Sequence, residues 1–251
     1  VLFLGSIGSG KTVGMSALVA SIRAAVKPED VLVFFDSKGD YIEQFYRPGD
    51  VTLAASTDDA FPNTQRWNLF AELAGVAPER LPETVQELTA SLVSDLEGDA
   101  NTNRIWTSMA QDLLSALIVA YARSGKPFTN LDIRAMSDKL TVGQMRDIIG
   151  PHADLRGTLQ YIAKDDSSTT VSVLIFLQQA IRQVFSSTFR EAGDFSVRRF
   201  LRERQGRALF LEYDVALGST LGPVFRTLLD IALKEALGRS RAGGRVFMIL
   251  D

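Results

Sequence analysis

The feature that most constrains this chain is a glycine-rich loop placed almost at its start. GSIGSGKT, Gly5 to Thr12, follows directly on the apolar run VLFL. The spacing Gly5-x-x-x-x-Gly10-Lys11-Thr12 is that of a phosphate-binding loop, with Gly8 as an additional glycine inside it. Such a loop needs a strand before it and a helix after it. Val1 to Leu4 is apolar enough for the first, and Thr12 to Ala25 sets Met15, Leu18, Val19 and Ile22 on one helical face. Glycine lets the backbone curl so that successive N–H groups point inward at phosphate oxygens. The helix then turns its positive end to the same anion. Gly5, Ser6, Ile7, Gly8, Ser9, Gly10, Lys11 and Thr12 are thus the expected phosphate contacts. Lys11 would reach the β- and γ-phosphates, and the Thr12 hydroxyl would hold Mg²⁺. ATP with Mg²⁺ is the expected ligand. An ordinary Gly/Ser-rich turn would not explain why strand and helix are both in register.

A carboxylate partner is expected at the carboxyl end of another strand. The sequence closes on RVFMILD, in which Val246 to Leu250 reads as a buried parallel strand and Asp251 follows it. Ligands in open α/β sheets bind at that edge. Asp251 is therefore the candidate Walker B residue, a Mg²⁺ ligand alongside Thr12, and with Lys11 the candidate catalytic pair. A catalytic glutamate is expected just beyond Asp251.

Of the 251 residues, 46% are apolar, enough for one large core or two smaller ones. The net charge of −3 excludes a polycation, so any nucleic-acid contact has to come from local basic patches. With no cysteine, disulfides and thiolate metal sites are excluded, and the single histidine, His152 in GPHAD, reads as a loop residue. No run approaches about 18 consecutive apolar residues. The abrupt start and end are those expected of a piece of a longer polypeptide.

Organisation follows from the rhythm of the chain. VLVFFD, Val31 to Asp36, is a second strand ending in Asp, and VTLAAS a third. From about Leu69 to Phe185 strands vanish. Helical patterns succeed one another instead, notably Pro82 to Leu96, the long apolar Arg104 to Arg123, and Thr169 to Phe185. The α/β rhythm returns with ALFLE, Ala208 to Glu212, and an amphipathic helix from Thr220 to Leu237. On that helix Arg226, Asp230 and Lys234 read as surface ion pairs at i, i+4 spacing. The expected fold is α/β, a P-loop NTPase sheet interrupted by an all-α insert. Its units are 1–68 (first part of the nucleotide-binding domain), 69–185 (insert) and 186–251 (second part).

FDSKGD, FYRPGDV, RWNLFAE, IWTSMAQDLLSALIVAYA, FSVRRFL, ALFLEYDVALGSTLGPVFRTLLDIALKEAL and RVFMILD occur in that order. Together they resemble the motor domain of type IV secretion coupling proteins, the TraD/TraG-like conjugative DNA-transfer ATPases. The resemblance runs over nearly the whole chain and is weakest from about Ala74 to Asn103. It implies a RecA-like nucleotide-binding domain carrying an all-α domain, assembled as a homo-hexamer around DNA. It implies partners as well: DNA, relaxase or other secreted substrate proteins, and further secretion-system components. The implied location is the cytoplasmic face of the bacterial inner membrane, through an anchor upstream. It also places the Lys38-Gly39-Asp40 turn beside the nucleotide.

Arg198, Arg199, Arg202, Arg204 and Arg207 lie within ten positions, opposed by Glu203 alone, and Arg239, Arg241 and Arg245 form a second group. Such groups neutralise phosphates without reading sequence. A solvated helix face and loop is the alternative for both. Glu83 to Asp99 carries five acids and no base, a poor DNA surface better suited to a protein partner. An ATP-driven DNA translocase is the leading expectation. Alternatives are an export ATPase moving protein and a nucleotide-binding assembly module without productive hydrolysis.

Overall fold

A computed structural model describes residues 10–56, 61–93, 101–213, 218–238 and 243–250, without the side chains of Lys11, residues 101–103, Gly218 and Ser219. Four parallel strands form one sheet in the order β2-β3-β1-β4: β1 (Val31–Asp36), β2 (Val51–Ala54), β3 (Ala208–Glu212) and β4 (Val246–Leu250). Parallel neighbours need crossovers. The crossover from β1 to β2 runs through the short α2 (Asp40–Phe45), and the one from β3 to β4 through α10 (Gly218–Leu237). The connection from β2 to β3 carries every other described helix except α1 (Lys11–Ala25). These are α3 (Leu69–Glu72), α4 (Leu81–Val93), α5 (Asn101–Arg123), α6 (Asn130–Lys139), α7 (Val142–Ile149), α8 (Ser168–Val184) and α9 (Val197–Glu203).

Strand periodicity divides the apolar side chains between two faces. Leu32, Phe34, Phe210 and Ile249 pack beneath α1 and α2, with the Phe34 and Phe210 rings stacked at 4.5 Å. Val31, Val33, Leu53, Leu209 and Leu211 belong to the other, larger core. That core runs continuously into α4, α5, α8 and α10. The helical section therefore shares its interior with the sheet. The ends of the described helices agree with the periodicity to within a few residues, and β3 coincides with ALFLE. Residues 104–123 of α5 are long and apolar enough to cross a membrane by length and composition, with half of that stretch buried within the protein against neighbours such as α4 and α8.

The helical section is entered and left at one place. Trp67 and Phe195 form a parallel bridge, with Asn68 N donating to Phe195 O at 3.0 Å and Phe195 N to Arg66 O at 3.1 Å. A Cβ at Gly193 would stand 2.2 Å from Arg66 O, so this approach requires glycine. Glu72, fully buried, closes the junction. Its Oε1 accepts from Trp67 Nε1 (2.9 Å) and Val197 N (2.6 Å), and its Oε2 from Ser196 Oγ (2.8 Å) and Arg198 N (3.1 Å). Burial raises this carboxyl above its usual range, against the opposing pull of the four donors. Every partner is a donor, so the pocket is built for the carboxylate.

One face of α10 also meets a neighbouring helix. Lys234 reaches across to Glu87 of α4 at 3.2 Å, and Asp230 accepts from Ser91 Oγ at 3.1 Å. Two residues of the polar stripe read as surface ion pairs on α10 thus also make contacts with α4, which packs against α10.

Candidate nucleotide site

The carboxyl edge of the sheet gathers the groups that matter for chemistry. At the opposite, amino edge, Lys27 N donates to Asp30 Oδ2 at 3.0 Å and Arg47 Nη1 to Arg23 O at 2.8 Å. Arg23 also makes a buried ion pair with Asp50. These contacts pin the last turn of α1 beside the starts of β1 and β2. A helix of 15 residues runs about 22 Å and a strand of six about 20 Å. Val19 and Met15 share a core cluster with Leu32 and Phe34 of β1, so a helix of this length laid back along the strand from its amino edge directs its first turn toward the carboxyl edge. Gly10 caps that turn in the left-handed region (φ 79°), a conformation glycine adopts without strain, and Thr12 is exposed on it. β4 ends at the same edge, since Leu250 is in register with Phe35 of β1.

The helix that continues the glycine loop and the strand that leads into Asp251 thus belong to one core cluster. Gly5, Ser6, Ile7, Gly8, Ser9 and Asp251 themselves, with the Lys11 side chain, lie outside the described residues, as do Arg239, Arg241, Asp95, Glu97 and Asp99. Among the described residues no cluster of three or more His, Asp or Glu side chains forms a metal cage. A P-loop site does not require one: Mg²⁺ is held there by one hydroxyl, one carboxylate and the phosphates. The exposed Thr12 hydroxyl in the first turn of α1 fits that donor set.

Two acids at this edge were read from the sequence only as strand ends. Asp36 and Glu212 are register partners on β1 and β3. The Asp36 carboxylate accepts from the backbone N–H groups of Lys38 (3.1 Å), Gly39 (3.0 Å), Tyr41 (2.7 Å) and Ile42 (3.4 Å). Asp36 therefore organises the Lys38-Gly39-Asp40 turn, with Gly39 left-handed at φ 77°. Glu212 is 4% exposed, and its pKa is pushed up to about 8 by burial first and by Asp36 second. The signal for both was an acid closing an apolar strand, which sequence alone does not separate from a turn residue.

The first arginine group is hydrogen-bonded or ion-paired within the protein, with Arg199 and Arg202 still exposed. Arg202 makes a two-point contact with Glu235 (2.9 and 2.8 Å), which Arg198 also reaches at 3.1 Å. Arg198 donates to Glu72 O, Arg199 to Asp194 O, and the buried Arg204 to Glu29 O and Gly243 O. Arg207 pairs with Glu203 and lies 4.7 Å over the Phe200 ring. Glu203 was the only opposing acid nearby in sequence; α10 brings Glu235 into the cluster. Arg245 of the second group is paired with Asp30 at 2.8 Å.

A parallel sheet with helices on both faces, and a glycine-started helix directed toward its carboxyl edge, defines a RecA-like P-loop fold. The family model for the type IV secretion-system coupling protein DNA-binding domain matches residues 1–251, and the chain belongs to that family. Solved structures of the bacterial conjugative coupling protein TrwB share the fold. The form in complex with sulphate is 20% identical with a TM-score of 0.71, covering 98% of this chain and 61% of that one. The complex with ADP and Mg²⁺ gives 20%, 0.71, 98% and 62%, and that with a non-hydrolysable ATP analogue 22%, 0.70, 98% and 55%. The chain spans about three fifths of the length of these proteins. Comparison with curated proteins returns no match.

Proposed function

We propose that this chain is the ATP-hydrolysing motor module of a conjugative coupling protein, which drives export of DNA or a nucleoprotein. What supports the reading is that α1, which continues the glycine loop, packs in one core cluster with β1 and β4, and β4 leads into Asp251 at the carboxyl end of β1. TrwB, of like fold, has been solved with ADP and Mg²⁺ and with an ATP analogue. In this reading Gly5 to Thr12 wrap the phosphates, and Lys11 and the opening N–H groups of α1 bind their charge. Thr12 and Asp251 hold Mg²⁺. Bound Mg²⁺–ATP supplies the transferable phosphoryl group and most of the charge neutralisation. The helical section 69–185 forms the all-α unit beside the nucleotide-binding parts 1–68 and 186–251. The intact protein works as a homo-hexamer on the cytoplasmic face of the inner membrane, with a relaxase–DNA complex as cargo.

DNA-stimulated ATPase activity of the intact protein tests this. Lys11→Ala is expected to lower turnover by a hundredfold or more, as loss of a phosphate-stabilising group does, while leaving the fold intact by circular dichroism. Absence of ATP binding by the intact protein refutes the proposal. Turnover that DNA leaves unmoved points to protein export instead.

A further inference from the structure

A cavity of about 620 Å³ opens at the carboxyl edge between α2, the segment following β2 and the end of β3. Its lining includes Lys38, Glu43, Tyr46, Phe61, Glu212 and Tyr213. Glu212 sits beneath the turn at Gly39: a Cβ built there would lie 4.0 Å from Glu212 Oε2 and 3.9 Å from the Phe61 ring. Glu212 Oε1 is buried and has no hydrogen-bond partner among the described residues. Placed next to Asp36, the ionised carboxylate would be a second anion with no cation bonded to it among the described residues. Such an arrangement is costly until a positive charge enters.

The surroundings suit that charge. Three aromatic residues line the space, and aromatic faces attract cations. Among the described residues, the ionisable groups around Glu212 are Asp36 from β1, Lys38 and Glu43 from the α2 segment, and Tyr46 and Tyr213. Among these the acids outnumber the one base, and Lys38 is exposed. No cluster of three metal-binding side chains occurs among the described residues, so the site is not a metal cage. The volume fits a side-chain-sized ligand. The geometry points to a binding site for an organic cation, a guanidinium or primary ammonium group, with Glu212 as its counter-ion and the three aromatic residues as its walls.

The ligand meets Glu212 as the carboxylate, so binding displaces a proton. Burial and Asp36 hold the empty group to about 8. Affinity for a cation should therefore rise about tenfold per pH unit up to that point and level off above it. Calorimetric titration of the intact protein with N-acetyl-arginine amide, spermidine and the neutral N-acetyl-citrulline amide tests this at pH 6.5, 7.5 and 8.5. A cation is expected to bind about tenfold tighter at pH 7.5 than at 6.5, with citrulline at least tenfold weaker. Tighter binding of the arginine amide marks a protein side chain as the natural ligand; tighter spermidine marks a free polyamine. Glu212→Gln, which keeps the shape, should lose tenfold or more at pH 8.5 along with the pH dependence. Phe61→Leu should weaken binding severalfold and keep the pH dependence. Equal binding of citrulline, unchanged affinity in Glu212→Gln, or no cation binding at pH 8.5 overturns the proposal.

Discussion

Replacing Glu72 with Gln changes one oxygen for an NH₂ group in a pocket with four donors and no acceptor to spare. The least costly orientation turns the NH₂ toward Ser196, whose hydroxyl can rotate and accept. That hydroxyl also accepts from Arg199 N at 3.0 Å, so it remains committed at the α9 cap. Arg198 N, now 3.1 Å from a carboxylate oxygen, then faces a second donor and loses its partner. One stranded buried N–H costs about 1–3 kcal/mol, and turning charge-assisted bonds into neutral ones adds about 1 kcal/mol. The expected loss is about 2–4 kcal/mol. Equilibrium urea unfolding should show a midpoint lowered by roughly 1 M, taking a slope of about 3 kcal/mol/M for a chain of this size. Glu43→Gln, at an exposed position, serves as the control and should leave the midpoint in place. A Glu72→Gln midpoint within about 0.2 M of the parent would refute the reasoning. It would mean that the junction between α3 and α9 does not depend on the carboxylate.

Asp50→Asn should be costlier. Asp50 and Arg23 are each 2% exposed, and Asp50 also accepts from Arg47 N and Ala208 N. Leaving a buried guanidinium without its counter-ion costs about 3–5 kcal/mol, so thermal denaturation should begin roughly 10 °C lower, and an unchanged melting temperature argues against the pair. Glu212 predicts a pH dependence. Its carboxyl keeps its proton to about 8 in the folded chain against 4.5 when unfolded, so the unfolded state binds fewer protons between those values. Stability relative to Glu212→Gln should therefore fall as pH rises from 4.5 to 8, by no more than about 5 kcal/mol, and stay level outside that window. Parallel pH profiles of the two urea midpoints would refute the assignment.

Elements whose signals are local were legible. β3 at Ala208–Glu212 and the long α5 follow from apolar runs and helical spacing. The glycine loop announces its helix, and Gly10 does adopt the conformation that only glycine takes easily. The resemblance of the ordered motifs to coupling proteins was readable too, because motif order survives where overall identity is low.

Other assignments needed the folded chain. Asp30, Asp50 and Glu72 are unremarkable acids in sequence. Each becomes buried only because distant segments supply donors: Arg245 for Asp30, Ala208 for Asp50, and Ser196 to Arg198 for Glu72. For the arginine group at 198–207 the sequence left a phosphate-neutralising patch and a solvated helix face both open, and only the fold shows α10 bringing Glu235 against Arg198 and Arg202. Glu212 looked like the end of a strand until β1 placed Asp36 beside it and the turn at Gly39 closed over it. Periodicity depends on neighbours a few residues away, so a linear reading recovers helices and strands. Charge pairing and burial depend on neighbours far away along the chain, and only the tertiary contacts decide them.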